Sequence, residues 1–330
     1  MPDEGRRREP LRILVTGGAG FIGSHVADAY VAAGHEVRVL DDLSSGDREN
    51  VPAAATLHEA DIRSPEAARL IVDHRIQILS HHAAQMDVRR STADPGFDAD
   101  VNIRGTLNLL EACVEAGTRQ VIFASTGGAI YGEHDELELP STEAQPTRPL
   151  SPYGVGKLAC EHYLYYYQQQ HGLAATCLRY ANVYGERQNP HGEAGVVAIF
   201  LQRLLAGERP TINGDGGQTR DYVYVSDVVR ANMAALGREG YGIFNVGTAR
   251  ETSVTELYEV LRRAVGVPTE PLFGPAKPGE QRRSSIDPDL GRRELGLPPP
   301  LPLEDGIART TEWFRARSAR SALDDAPSTD

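Results

Sequence analysis

Tyr153 and Lys157 stand four residues apart in Pro152-Tyr153-Gly154-Val155-Gly156-Lys157, a spacing that puts both side chains on one face of a helix. A phenol ordinarily ionises at a pH of about 10. An ammonium beside it, together with the positive ring of an oxidised nicotinamide, favours the phenolate and makes a general base near neutral pH. Two hydroxyls stand earlier in the chain, where Ser125 and Thr126 follow the apolar run Gln120–Ala124, and either can share the proton. Taken alone, a tyrosine and a lysine at this spacing also describe a solvated helix face. A second pattern in the same chain decides between the two.

That pattern is LRILVTGGAGFIGSH, residues 11–25. A short apolar strand, Leu11–Val15, runs into Gly17, Gly20 and Gly23, and a helix resumes at Phe21 and Ile22. One glycine makes the tight turn, one lets the backbone approach a pyrophosphate, and one lets the helix lie close on its strand. The bare N–H groups and the dipole at the helix start attract phosphate. The next apolar run, Glu36–Leu40, ends in Asp41 and Asp42. A carboxylate there, about 20 residues beyond the glycines, meets the adenosine ribose and repels a 2′-phosphate, which points to NAD rather than NADP.

These residues need a scaffold, and the chain alternates accordingly. Strands are expected at Leu11–Val15, Glu36–Leu40, Ala55–Glu59, Ile76–Ser80, Gln120–Ala124 and Ala174–Arg179. Helices are expected at Phe21–Ala33, Pro65–His74, Val101–Ala116 and Tyr153–His171. The alternation implies an α/β fold, a doubly wound parallel sheet with helices on both faces. Strand ends carry the ligand-facing positions in such sheets. Asp61 and Ile62 follow the third strand and are placed to meet the adenine. Ala83 and Ala84 follow the fourth, where small residues let an extended cofactor pass. The neighbouring His81 and His82 do not make a metal site, because adjacent strand residues point to opposite faces and no carboxylate or cysteine accompanies them. After Arg179 the alternation breaks; Asp221–Val225 and Phe244–Gly247 are read as returns to the sheet, and residues 252–265 as an amphipathic helix capped by Ser253 with Glu256.

Composition bounds the class. The chain has 330 residues, 40% hydrophobic and 24% charged, with a net charge of −12 that argues against a nucleic-acid surface. Cys113, Cys160 and Cys177 match no metal spacing and read as core residues of a reducing, cytoplasmic compartment. Arg6-Arg7-Arg8 is followed by no long apolar stretch, so neither a secretory leader nor a membrane span is expected. Tyr163, Tyr165, Tyr166 and Tyr167 circle one turn of a long helix, as core packing or as the seam of a homodimer built from two long helices.

TGGAGFIGSH, Asp41-Asp42-Leu43-Ser44-Ser45-Gly46, ASTGGAIYG, SPYGVGK and LRYANVYG together resemble the extended short-chain dehydrogenase/reductases that act on nucleotide sugars, and within them the UDP-glucose 4-epimerases. The resemblance runs from about Leu11 to Phe314. It implies a resident NAD, proton removal from a sugar 4-hydroxyl by Tyr153, and hydride transfer from C4 and back to the other face. It places cofactor contacts on Gly17, Gly20, Phe21, Ile22, Asp41, Asp42, Ser45, Asp61, Ile62, Ala83, Ala84, Asn102, Tyr153, Lys157 and the Tyr180–Val183 region. Nucleotide-sugar contacts fall on Asn182, Arg220, Lys277 and Glu280, with Ser284 at the gate of the sugar pocket. A Rossmann domain over 11–181, with returns near 221–250, is then joined by a smaller, interleaved α/β lobe over 182–317 that binds the UDP-sugar, between disordered tails at 1–10 and 318–330.

The departures from that family carry information. Lys277 stands where arginine is common, and Met86 where some of these enzymes have a lysine near the phosphates. Sister 4,6-dehydratases and decarboxylases carry an acid just after the catalytic hydroxyl; the corresponding residues here are Gly127-Gly128-Ala129. Serine at 284, in place of a large aromatic, leaves room for an N-acetyl group. A non-catalytic NAD-binding role would not need Tyr153, Lys157 and the hydroxyls together.

Overall fold

The computed structural model describes residues 9–133, 138–190, 195–276 and 281–324. The first half alternates as β1 (Arg12–Thr16), α1 (Phe21–Ala32), β2 (Glu36–Asp41), β3 (Thr56–Glu59), α2 (Pro65–Asp73), β4 (Ile78–His81), α3 (Val88–Ala93), α4 (Pro95–Ala99), α5 (Gly105–Ala116), β5 (Gln120–Thr126), α6 (Gly127–Ile130), α7 (Pro152–His171) and β6 (Ala174–Tyr180). The second half follows as β7 (Asn182–Tyr184), α8 (Val196–Leu205), β8 (Thr211–Asn213), β9 (Thr219–Arg220), β10 (Tyr222–Tyr224), α9 (Val225–Ala235), β11 (Tyr241–Val246), β12 (Thr252–Ser253), α10 (Val254–Val265), β13 (Leu272–Gly274), α11 (Asp289–Glu294) and α12 (Leu303–Asp324).

Seven strands form one parallel sheet in the order β11-β6-β5-β4-β1-β2-β3. Period-two alternation divides its side chains between two cores. Leu14, Leu40, Leu79, Val121 and Phe123 pack under α2, α5 and α7, while Ile13, Val15, Val39, Ile78 and Ile122 pack under α1 and α9. Burial on both faces explains why these strands read as continuous apolar runs. Local chemistry sets the helix ends: the Ser151 hydroxyl accepts from the Gly154 N–H ahead of Pro152, and the Ser253 hydroxyl accepts from the Glu256 N–H.

The chain leaves the sheet after β6 and returns for α9 and β11. A third core, with Leu201, Leu257, Leu261, Ile307 and Phe314, joins α8, α10 and α12. Three expectations change. The run Asp221–Val225 does not return to the main sheet; its centre is β10, which pairs in parallel with β7 as a two-stranded ribbon. The helix expected over Val101–Ala116 begins with a π-helical turn, Asp100–Arg104. Helix α12 continues to Asp324, past the expected boundary at 318, because its Arg- and Ala-rich end has good helix propensity and no breaker.

Candidate functional site

The glycine turn is built by steric necessity. Gly17 adopts φ +68°, and its N–H donates to the Leu40 carbonyl at 2.8 Å, which ties the turn to β2. A Cβ on Gly17 would come within 2.7 Å of the Ala83 nitrogen, and one on Gly23 would run into the Gly17 carbonyl. Gly20 caps α1 without a side chain, so the first N–H groups of the helix are left for a ligand, with Phe21 and Ile22 in its first turn. Asp41 is buried at the end of β2, where its carboxylate accepts from the Ala19 and Leu43 N–H groups, each at 2.9 Å. Burial raises its pKa and these two bonds oppose the rise. Asp41 therefore joins the glycine turn to the following loop, in which exposed Asp42 accepts from Ser44 and Ser45 is exposed. Asp61 spends its carboxylate on the Arg63 guanidinium, and Ile62 packs against Gly105.

The loop after β4 is held by a directed hydrogen-bond chain. Ala83 N–H donates to Thr16 Oγ1 (3.3 Å), which lies 2.7 Å from His81 Nδ1; His81 Nε2 lies 2.9 Å from Thr106 Oγ1, which donates to the Asn102 carbonyl at 2.6 Å. Burial lowers the His81 pKa well below its ordinary value, so a neutral ring bridges two hydroxyls. The half-buried Ala84 follows, and the Asn102 amide then clamps the Gln85 backbone, accepting from its N–H at 2.8 Å and donating to its carbonyl at 2.9 Å. Asn102 sits in the π-helical turn, so the register shift there aims this amide. A bare helix start, a glycine seat and an acid at the end of β2 fit a dinucleotide such as NAD.

Ser125 and Thr126 end β5 and point to opposite faces. Ser125 is buried and donates to Glu161 at 2.6 Å. Glu161 is in turn gripped by Arg179 through two bonds, at 2.6 and 2.9 Å. The serine O–H is thus committed to the core carboxylate. Thr126 is half-buried and its hydroxyl has no hydrogen-bond partner among the described residues. The same holds for the Tyr153 hydroxyl and for the side-chain amide of Asn182, which opens β7. Three open polar groups therefore stand on elements that meet at the carboxyl end of the sheet.

Lys157 is buried, donates to the Ala124 carbonyl at 2.8 Å, and places Nζ 5.9 Å from the centre of the Tyr153 ring. Burial brings the lysine down to about 8. Burial also pushes the Tyr153 hydroxyl above its ordinary value, and Asp98 adds to the rise. Within the chain alone burial, with Asp98, holds the phenol above its ordinary value, so the lowering expected of the ammonium and a positive nicotinamide ring together is left to the loaded site.

The remaining expected residues divide. Tyr180 turns its side chain into the core, where Asn232 donates to its hydroxyl at 2.8 Å, so only its main chain is available to a ligand. Val183 is half-buried between two cores. Arg220, half-buried in β9, donates to the Thr219 carbonyl at 2.7 Å. Its neighbour Asp221 is committed elsewhere, accepting from Thr248, Ala249 and Ile286. Ser284 is buried in a segment that docks on the loop after α6, where Gln281 donates to the Gly132 carbonyl at 2.8 Å. Lys277 and Glu280 lie outside the described residues.

Residue types and spacing did not reveal the network behind the site. Arg179 donates to the Tyr131 hydroxyl at 2.9 Å, and that hydroxyl donates to Asn245 at 2.8 Å. Asp98, buried on α4, accepts from Gln85 and Asn102 at 3.0 and 3.1 Å. The available signal was Glu161, which follows Lys157 at helical spacing on a face that is otherwise apolar.

A model of the NAD-dependent epimerase/dehydratase family matches residues 13–247. A UDP-glucose 4-epimerase of Mycolicibacterium smegmatis is 48% identical over 314 residues, spanning 93% of this chain and 100% of its own. The crystal structure of a UDP-glucose 4-epimerase of Thermotoga maritima with UDP-glucose superposes with a TM-score of 0.90 at 46% identity, over 93% of this chain and 99% of that one. A Thermus thermophilus UDP-glucose 4-epimerase in complex with NAD gives 0.86 at 46% identity, over 92% and 99%.

Proposed function

Because the chain belongs to the NAD-dependent epimerase/dehydratase family, we propose that it interconverts UDP-glucose and UDP-galactose by transient oxidation at C4 of the sugar. One observation carries this reading at the level of residues. Thr126, Tyr153 and Asn182 leave their polar atoms unpartnered at the end of the sheet, with Lys157 behind them. Bound there, oxidised NAD accepts a hydride from C4 and later returns it. Tyr153 takes the proton of the 4-hydroxyl and gives it back, and Thr126 passes the hydrogen bond between them. Burial makes this phenol a poor base by itself, so its proton leaves only when a further positive charge shares the crevice.

Asn182, Arg220, Lys277 and Glu280 are proposed to hold the nucleotide sugar; the Arg220 guanidinium suits a diphosphate because its donors form a planar fork. With serine at 284, UDP-N-acetylhexosamines are proposed as additional substrates. Dehydration or decarboxylation is disfavoured by Gly127-Gly128-Ala129, which offers no acid beside Thr126. We place the enzyme in the cytoplasm as a homodimer through α5 and α7. Of the tyrosine cluster only Tyr167 is buried, while Tyr163, Tyr165 and Tyr166 are 40%, 50% and 51% exposed on α7.

The test is direct. The purified protein should carry NAD and convert UDP-galactose to UDP-glucose without added cofactor. Release of a 4-keto-6-deoxy sugar or of carbon dioxide instead would move it to a sister activity, and no turnover at all would leave only the fold. UDP-N-acetylgalactosamine, assayed alongside, decides the Ser284 reading by whether it is epimerised.

A further inference from the structure

Four glycines, Gly127, Gly128, Gly132 and Gly154, lie in the segments that carry Thr126 and Tyr153, and three of them are forced by packing. A Cβ on Gly127 would lie 2.5 Å from Ile286 Cδ1, and one on Gly154 would lie 2.7 Å from the Ala129 carbonyl. Gly132 has φ +73° and abuts the Arg148 carbonyl. Gly128 differs. It lies inside the short helix α6, its φ is not positive, and a Cβ there would meet only Asn182 Oδ1 at 3.5 Å and Thr126 Oγ1 at 3.9 Å. Both distances are ordinary van der Waals contact, so neither backbone nor packing asks for glycine. Glycine within a helix is nevertheless unfavourable relative to alanine. The two atoms that border the vacancy belong to side chains without partners among the described residues. The space is therefore shaped by ligand-facing groups.

We propose that Gly128 is a specificity-determining residue whose missing side chain leaves the recess in which the hexose turns between its two hydride transfers. The inference rests on the epimerase reading. An epimerase must present both faces of C4 to one hydride carrier, so the keto sugar rotates while Thr126 stays fixed. A recess within van der Waals reach of the Thr126 hydroxyl receives a substituent next to C4 in one of the two orientations. In the sister enzymes no such rotation is required, and an acid can stand beside the hydroxyl.

The experiment uses the NAD-loaded enzyme and its Gly128→Ala and Gly128→Val variants with UDP-galactose. Bound cofactor per chain and the melting temperature report that each variant is folded and loaded; alanine is the smaller step and the structure has room for it. We expect UDP-glucose formation to fall by about tenfold in Gly128→Ala, and further in Gly128→Val. The absorbance of reduced nicotinamide should still appear on mixing with UDP-galactose, because the first transfer and its reversal on the same face proceed while the return to the other face stalls. Epimerisation at the wild-type rate overturns the proposal. So does a variant that forms no reduced nicotinamide at all, since the glycine would then serve binding or the first transfer. A wild-type protein that interconverts no nucleotide sugar would sink the epimerase reading itself, which is a separate result.

Discussion

Ser125 and Thr126 differ by one methyl group and one position, yet strand alternation assigns them different work. Ser125 completes the hydrogen bonding of buried Glu161, whereas Thr126 keeps its hydroxyl open beside Gly128. Ser125→Ala should therefore cost about 1–3 kcal/mol of stability, the range for a buried charge that loses a donor, and leave kcat nearly unchanged. Thr126→Ala should lower kcat by about 10²-fold or more with bound NAD retained. Chemical denaturation and steady-state kinetics on the two variants separate these outcomes, and the opposite pattern would reverse the assignment. The sequence allowed either hydroxyl, because which of two neighbours faces the crevice depends on the register of β5 against Arg179 and Glu161. Tyr153 and Lys157 were legible without that register, since helical spacing alone puts them together. Their protonation behaviour was not, because spacing does not reveal the burial that raises the phenol and lowers the ammonium.

At the level of elements, the central sheet was legible because strands buried on both faces are apolar throughout, and the glycine turn marks where the first one ends. The run around β10 misled for the same reason: Tyr222, Val223 and Tyr224 are buried, but local pattern cannot say which partner strand they meet. The least legible feature was the Glu161–Arg179 pair, where α7 and β6 meet with side chains 2% and 4% exposed. A charge pair removed so completely from water is held by its mutual attraction, and loss of one partner strands the other. Glu161→Gln or Arg179→Met alone should lower stability by about 3–5 kcal/mol, while the joint replacement Glu161→Gln with Arg179→Met should recover part of that loss. Urea midpoints of the three variants measure the coupling. Additive losses would mean that the pair contributes nothing beyond its separate contacts to Ser125 and Tyr131.

The whole molecule is acidic, at −12, but its response to alkali is set by buried groups rather than by net charge. Burial pushes the Cys113 thiol up to about 12 and the Tyr30 and Tyr180 hydroxyls above their ordinary values. These groups keep protons in the fold that the unfolded chain gives up, so they make stability fall as pH rises through the usual thiol and phenol range. Lys157 acts in the opposite direction. Its folded value of about 8, lowered by burial against the smaller pull of Cys160, Asp98 and Glu161, lies below that of an unfolded lysine. Below pH 8 both states carry the charge and the fold bears the full cost of burying it. Between about 8 and 10.4 the unfolded chain binds the extra proton, so this group's contribution to stability rises with pH by up to roughly 3 kcal/mol. Comparison of the cofactor-free protein with Lys157→Met isolates the effect, because the thiols and phenols are common to both. From neutral pH to about 10 the wild type should gain stability relative to Lys157→Met. Over the same interval its turnover should fall, since the ammonium that supports proton removal by Tyr153 is being lost. Parallel stability curves for the two proteins would show that Lys157 keeps its proton throughout, with an environment more polar than its burial among Phe123, Ala124 and Tyr153 implies.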